Sequence, residues 1–242
     1  LEASMTGYQI AKFISKEAQD GDGASYQDVA IIRYAEVLLN YAEAKAELDI
    51  LTQDDIDKSI RPIRTRAGMP NLNQNIANSN PDKILASEYP NVSGNNKGVI
   101  LEIRRERRVE LALEGFRYDD LMRWKAGKLL EHEPEGIYFP SLGKFDLTGD
   151  GVEDIYLIPS SQDIPAEADK EANSLGKKLV YYRTGTIDDG NATVYLKNGT
   201  SGNIQTIRDL GTFMEPKYYY RPIPKHEMDL NPQLGPQLFG WE

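Results

Sequence analysis

The chain has 242 residues, 40% of them apolar, which is ordinary for a globular protein and enough for one large domain or two small ones. Lys and Arg number 28 against 38 Asp and Glu, and this net charge of −10 argues against nucleic acid and against an anionic membrane surface as partners. Without cysteine there is no disulfide, thiolate metal site or cysteine nucleophile, and no apolar run approaches the about 18 residues of a membrane span.

Residues 1–27 form a lead-in, and residues 29–49 carry the first predicted helix. Ala, Leu, Glu and Lys dominate this stretch, and its apolar residues recur at helical spacing. Asp28 is the predicted N-cap. The predicted buried face consists of Ile31, Tyr34, Ala35, Leu38, Ala42 and Leu48.

A second helix is predicted to open at residues 52–55, TQDD, which is a capping-box pattern. Its apolar face is Ile56, Ile60 and Ile63, and Gly68 with the following Met-Pro stops it. Pro62 lies inside the helix and is expected to kink or shorten it. Two helices joined by a short turn form a tetratricopeptide-like unit, although the sequence does not repeat at 34 residues.

Residues 71–98 are rich in Asn, Ser, Pro and Gly and are predicted to be a long loop. Tyr89 and the amides of Asn91, Asn95 and Asn96 have the chemistry to contact a sugar. The pattern favours a solvated irregular loop over a sugar contact. The sequence therefore assigns no ligand-binding residue.

A dense block of alternating arginines and glutamates lies in a predicted helix from residue 99 to Gly115, where a glycine suits the C′ position. Glu102 with Arg105, and Arg107 with Glu110, are expected to pair at three-residue spacing. The pattern is typical of a solvated helix face. A second helix is predicted from residue 118 to about residue 130, with Trp124 in the core.

From residue 137 onward, β-branched and aromatic runs alternate with turn residues. Short strands are predicted at residues 155–158, 179–182, 193–196 and 218–221. The proline-rich end of the chain is expected to lie extended over the helical body.

The sharpest chemical signal is the sequence DLTGDGVED at residues 146–154. Its oxygen ligands fall at positions 1, 3, 5, 7 and 9 of a calcium loop, with Gly151 at the sharp turn of position 6. The bidentate Glu of position 12 is missing, because residue 157 is Leu. No helices are predicted to flank the loop, so it is not an EF-hand. We predict a structural Ca²⁺ site, with an acidic turn as the alternative; its ligands are Asp146, Thr148, Asp150, Val152 (through its carbonyl) and Asp154.

No motif of a catalytic site is present. His132 and His226 lack zinc-protease spacing, and there is no Gly-x-Ser-x-Gly elbow, P-loop or dinucleotide fingerprint. We therefore expect a protein that is not an enzyme and requires no cofactor.

Four separated stretches resemble the SusD/RagB family of outer-membrane nutrient-binding lipoproteins. The most specific is RRERRVELALEGFRYDDLMRW at residues 104–124. The others are IRYAEVLLNYAEA at residues 32–44, IRTRAG at residues 63–68 and the tail RPIPKHEMDLNP at residues 221–232. Gly-Tyr and Lys-Phe within residues 7–13 are also similar to the segment that precedes the first helix in this family.

The resemblance implies a mainly α fold: a tetratricopeptide-like helical scaffold with an irregular, loop-rich C-terminal region that carries a few short strands. It matches the C-terminal half of the family, so the chain is expected to be a fragment or to lack the upstream half. Residues 1–242 would then be one C-terminal-type domain, with residues 28–132 as the scaffold and residues 133–242 as a tail packed on it. An apolar helix face that packs on the absent half is expected to be exposed.

The implied function is non-enzymatic glycan binding at the extracellular face of the cell outer membrane, where the protein delivers oligosaccharides to a SusC-like TonB-dependent transporter. Contact with the membrane would come only through an upstream lipid anchor. The alternatives are a tetratricopeptide-type protein–protein adaptor, which does not explain the Pro- and Tyr-rich tail, and a glycan hydrolase, for which no motif is present.

Overall fold

The structure is a computed structural model that describes residues 6–8, 11–14, 16–19, 21, 23, 26, 28 and 30–241. The predicted segment at residues 7–13 includes Gln9 and Ile10, which lie outside the described residues, as does Val29. The chain divides into two compact units, one of residues 1–24 and 132–211 and one of residues 25–131 and 212–242. The assignment of the whole chain to one domain stays a prediction.

The unit of residues 25–131 and 212–242 is helical. α1 packs against α2 and α5, and α3 packs against α5. Their apolar faces meet in one core, in which Leu39, Ile56, Val99, Leu101 and Ile103 are fully buried. The tetratricopeptide-like arrangement of α1 and α2 stays a prediction. The helices are α1 (Tyr34–Glu47), α2 (Gln53–Arg66), α3 (Gln74–Ser79), α4 (Lys83–Glu88), α5 (Lys97–Glu110), α6 (Phe116–Arg123) and α7 (Lys225–Leu230), with 3₁₀ turns at Gly127–Glu131, Lys217–Tyr219, Pro232–Leu234 and Leu238–Gly240.

The first helix begins later than the sequence indicated. Its N-cap is Arg33, in extended backbone at φ −108° and ψ 143°, and not Asp28. The Arg33 guanidinium donates to the carboxylates of Glu110 and Glu114. A long-range ion pair therefore holds the residue at the start of the helix, and no local cap signal could have shown this.

Helix α1 carries apolar residues on two faces. Leu38, Leu39, Ala42 and Ala46 are buried in the core. Tyr34, Val37, Tyr41 and Leu48 follow one another at spacings of three, four and seven residues and are exposed, Tyr34 by 74% and Leu48 by 68%. Three members of the predicted buried face are therefore exposed: Tyr34, Leu48 and Ile31, which is 90% exposed and precedes the helix.

The second helix follows its sequence signals closely. The Thr52 side chain accepts a hydrogen bond from the Asp55 amide, and the Asp55 carboxylate accepts one from the Thr52 amide, which completes the capping box. The three predicted isoleucines are buried. The expected shortening at Pro62 is wrong, because the helix continues through the proline to Arg66.

The prediction of a long loop at residues 71–98 is also wrong. Asn73 and Asp82 each accept backbone N–H hydrogen bonds and cap α3 and α4. The polar residues that suggested a loop are therefore helix caps. Gly98, in the first turn of α5, permits close contact with α3, since a Cβ there would lie 1.8 Å from the Ala77 carbonyl oxygen.

Helix α5 ends at Glu110, earlier than predicted, with Leu111 as its C-cap. Gly115 has the predicted positive φ, +86°, but it is the N-cap of α6 and not the residue that ends α5. The second predicted helix is split into α6 and a 3₁₀ turn at Gly127–Glu131.

The end of the chain packs within the helical unit. The Tyr219 hydroxyl accepts from the Gly127 amide at 3.0 Å, and the Phe213 amide donates to Glu131 at 2.6 Å. Burial raises the pKa of Tyr219 most, the hydrogen bond to Glu215 raises it further, and the pKa reaches about 12. The strand predicted at residues 218–221 is wrong, because Lys217–Tyr219 form a 3₁₀ turn whose aromatic rings pack together with Phe213.

The unit of residues 1–24 and 132–211 is built on short strands, as expected. β1 and β6 form an antiparallel pair, and the other four strands form a sheet in the order β2-β3-β4-β5. β2 pairs with β3 antiparallel, whereas β3 with β4 and β4 with β5 are parallel. Three predicted strands correspond to β3, β4 and β5. The strands are β1 (Glu135–Phe139), β2 (Gly143–Phe145), β3 (Ile155–Pro159), β4 (Val180–Gly185), β5 (Val194–Tyr195) and β6 (Gly202–Gln205).

The carboxyl of Asp55 generates a prediction about stability against pH. Hydrogen bonds from Lys45, Tyr41 and Thr52 hold the pKa of this carboxyl well below its usual 3.8. A carboxyl with a lowered folded-state pKa stabilises the fold above its unfolded pKa and loses that contribution as the pH falls. We expect Asp55→Asn to be less stable than the unsubstituted protein at pH 7, and this difference to shrink below about pH 4, in urea unfolding followed by circular dichroism.

Asp54→Asn is the matched control, since Asp54 lies in the same first turn but is exposed and pairs with the equally exposed Lys58. It should change stability little at any pH. A difference between Asp55→Asn and the unsubstituted protein that stays constant from pH 7 to pH 2 would contradict the role of this carboxylate.

Candidate ligand-binding site

The charge block of α5 is not a solvated helix face. Arg104, Glu106 and Arg107 are each less than a tenth exposed. Glu102 pairs with Arg105 as predicted, at 3.5 Å, but Arg107 turns to Asp120. The sequence showed the charges of α5 and their spacing. It could not show their partners, because these lie on other helices and are distant in the sequence.

The block joins the helices of the unit to one another. Arg64 of α2 donates to Glu106 of α5 at 2.8 Å. Arg107 of α5 donates to both carboxylate oxygens of Asp120 in α6, at 3.1 and 3.0 Å, and to the Asn40 side chain in α1 at 2.6 Å. Such a bidentate pair fixes orientation as well as distance.

Glu43 of α1 lies at the centre of this network. Its carboxylate accepts a hydrogen bond from the Trp124 indole N–H at 2.6 Å and further bonds from Arg123. Burial lowers the pKa of Arg123, but the bonds to Glu43 and Asp120 outweigh burial and raise it overall. Trp124 is buried, as predicted, and its polar N–H is satisfied.

A cavity of about 510 Å³ opens beside this network. Its volume falls within the range of small-molecule sites. It offers one aromatic side chain, one amide, three cations and two carboxylates. The residues that line it are Glu43, Glu47, Asn91, Arg104, Arg123, Trp124 and Lys125.

Arg104 is the least satisfied charge at this cavity. Its guanidinium lies over the rings of Tyr89 and Trp124, with centroid distances of 5.1 and 4.7 Å. Nη2 reaches Glu47 only at 3.4 Å, and Nε and Nη1 are buried without a hydrogen-bond partner among the described residues. Burial lowers the pKa of Arg104, the direction expected of a desolvated cation.

The four polar residues that the sequence offered as possible sugar contacts lie in different environments. Tyr89 is a core residue, and the Asn96 amide donates to the Ala46 carbonyl. Asn95 is exposed and does not line the cavity, whereas Asn91 lines it and donates to the Lys125 carbonyl at 3.3 Å. No single-sequence signal marked Arg104 or Lys125, because the cavity forms only where α1, α5 and the ends of α4 and α6 meet.

The predicted calcium loop connects β2 to β3 in the other unit, and its residues are mostly exposed. In this structure its carboxylates bind the loop's own backbone. Asp146 accepts from the amides of Gly149 and Gly151 at 2.6 and 2.7 Å, and Asp154 accepts from the amides of Leu147 and Thr148. The bonds from Gly151 and Gly149 lower the pKa of Asp146.

Within the described part of the chain, no three acidic or histidine side chains are placed together to hold a metal ion. Asp150 likewise accepts from the Val152 amide at 2.9 Å. A calcium ion would have to draw these carboxylates away from the amides and towards one another. The structural Ca²⁺ at Asp146, Thr148, Asp150, Val152 and Asp154 therefore stays a prediction.

Removing Arg107 tests the buried network. Arg107→Ala takes from Asp120 and Glu43 the buried one of their two shared cations and leaves them Arg123, whose side chain is 44% exposed. Breaking a buried pair in this way costs about 3 kcal/mol or more. Arg108→Ala is the matched control, because Arg108 is the next residue of α5 but its side chain is 56% exposed, and its loss should cost less than about 0.5 kcal/mol. Urea unfolding measures both; equal costs would contradict the network.

The calcium prediction is tested by calorimetry on chelator-treated protein. If the loop binds Ca²⁺, titration gives saturable heat, and Asp146→Asn abolishes it because position 1 of the loop loses its charge. Asp163→Asn, an exposed aspartate of the same unit, should bind like the unsubstituted protein. Absence of heat on adding calcium would remove the site.

Comparison with known proteins places the chain in a family. The model of the SusD family (SusD/RagB) matches residues 1–241, and no curated protein matches. A SusD-like protein from Bacteroides fragilis is 21% identical over 87% of this chain and 25% of its own, with a TM-score of 0.44. A SusD-like carbohydrate binding protein from the same species is 26% identical over 84% of this chain and 28% of its own, also with a TM-score of 0.44. The chain spans about a quarter of the length of these solved chains, and by its match to the family model over residues 1–241 it belongs to the SusD family.

Proposed function

We propose that this chain binds glycans without hydrolysing them. The observation that carries the proposal is membership of the SusD family over residues 1–241. One relative of known structure is described as a carbohydrate binding protein. The cavity beside α5 supports the proposal, because it combines an aromatic side chain with amide, carboxylate and cationic groups that hydrogen-bond to sugar hydroxyls.

The proposal extends to place and partner. The chain acts at the extracellular face of the outer membrane, held by an upstream lipid anchor, and passes oligosaccharides to a SusC-like TonB-dependent transporter. These parts rest on the family resemblance. No helix within the described residues has both the length and the apolar character needed to cross a membrane.

Affinity electrophoresis tests glycan binding. The protein is run through native gels that contain single polysaccharides, and the same samples are assayed for released reducing sugar. We expect at least one polysaccharide to retard the protein without release of sugar. Release would show an enzyme, and no retardation across the panel would contradict glycan binding and direct attention to the adaptor function.

A pair of asparagine variants tests whether the glycan that retards the protein binds in the cavity. Asn91→Ala removes an exposed amide that lines the cavity, and Asn95→Ala removes an exposed amide of the same segment that does not. We expect only Asn91→Ala to reduce retardation. Equal behaviour of the two variants would place the glycan elsewhere.

A further inference from the structure

Two arginines one turn apart on α5 are both buried but differ in their partners. The side chains of Arg107 and Arg104 are 4% and 8% exposed. Arg107 donates to Asp120 through two nitrogens and to Asn40 through the third. Arg104 has one long contact, to Glu47 at 3.4 Å, and its other two nitrogens have no hydrogen-bond partner among the described residues. A buried polar group without a partner is costly and requires an explanation.

Arg104 lines the cavity, and the carboxylate that it contacts is only weakly held. The Glu47 side chain is 49% exposed, at the end of α1. An exposed carboxylate at this distance gains little from the pair and is easily displaced by another. The position that a ligand carboxylate would take is therefore the one that Glu47 now occupies loosely.

The charges of the cavity also favour a single negative charge on the ligand. Its three cations are Arg104, Arg123 and Lys125, and its two acids are Glu43 and Glu47, which leaves one net positive charge. Glu43 is already shared by Arg123 and the Trp124 indole. Lys125 is exposed and has a left-handed backbone at φ +51°, a conformation that a lysine rarely adopts.

Building on the proposed function, we propose that this cavity binds a uronic acid unit of the glycan. The sugar carboxylate replaces Glu47 at Arg104 and is also contacted by Lys125. Asn91 then supplies a donor for a ring hydroxyl. Arginine suits this role because its planar fork matches a carboxylate.

The test uses two probes that differ only in charge, methyl galactosiduronate and its methyl ester, with binding measured by calorimetry and by tryptophan fluorescence. We expect the acid to bind at least about tenfold more tightly than the ester, the size of one charge-assisted hydrogen bond. The affinity of the acid should fall as salt is added. Equal affinity for acid and ester would overturn the proposal, and so would equally tight binding of a galactose sulfate.

Two variants at exposed positions test the cavity without burying a new group. Lys125→Gln should weaken binding of the acid several-fold, whereas Glu47→Gln, which removes the competing carboxylate, should tighten it. Lys128→Gln, an exposed lysine outside the cavity, should leave binding unchanged. Unchanged affinity in both Lys125→Gln and Glu47→Gln would overturn the assignment to this cavity.

The two experiments distinguish failure of the uronate site from failure of the proposed glycan binding. Retardation by neutral polysaccharides with no preference for the uronate would leave glycan binding standing and remove the uronate site. Absence of both retardation and uronate binding would remove both proposals.

Discussion

The bidentate ion pair between Arg107 and Asp120 is the interaction on which the helical unit depends. It joins α5 to α6, and Asn40 and Glu43 extend it to α1. A buried ion pair is weak as a source of net stability, because desolvation offsets much of the attraction. Its effect is specific orientation: the pair is satisfied only when three helices stand in one arrangement. The apolar core of Leu39, Val99 and Ile103 supplies burial, and the charges select among the packings that such a core permits.

The sequence predicted the elements whose signals are local. The capping box at Thr52 and Asp55, the isoleucine face of α2 and the three strands β3, β4 and β5 are confirmed. Each depends on spacing within a few residues. The prediction of a loop at residues 71–98 failed because Asn73 and Asp82 cap two short helices. Composition does not distinguish a capping residue from a loop residue.

The prediction that the charge block of α5 is a solvated helix face failed for another reason. Whether an arginine is solvated depends on partners that are distant in sequence, such as Asp120 for Arg107 and Glu106 for Arg64. The pattern on α5 alone fits a solvated face. The same limit applies to the site, since the cavity needs residues from α1, from α5, from the end of α6 and from the segment after α4. Among these residues, the sequence predicted burial only for Trp124. The resemblance to the SusD family rests on the stretch that contains Arg104 and Trp124, but it did not show which arginine of that stretch lacks hydrogen-bond partners.

Arg104 is then best understood by comparison with its neighbour one turn away. A purely structural arginine at this position would be more stable with a full set of acceptors, as Arg107 has, or replaced by an apolar residue of similar volume. The chain has neither: the guanidinium lies against Tyr89 and Trp124, with a loosely held carboxylate at 3.4 Å and a cavity beside it. The aromatic rings compensate part of the desolvation and hold the group in place. A cation that is fixed in position but incompletely paired is preorganised for an anion from outside, because binding restores an interaction that the fold leaves unmade.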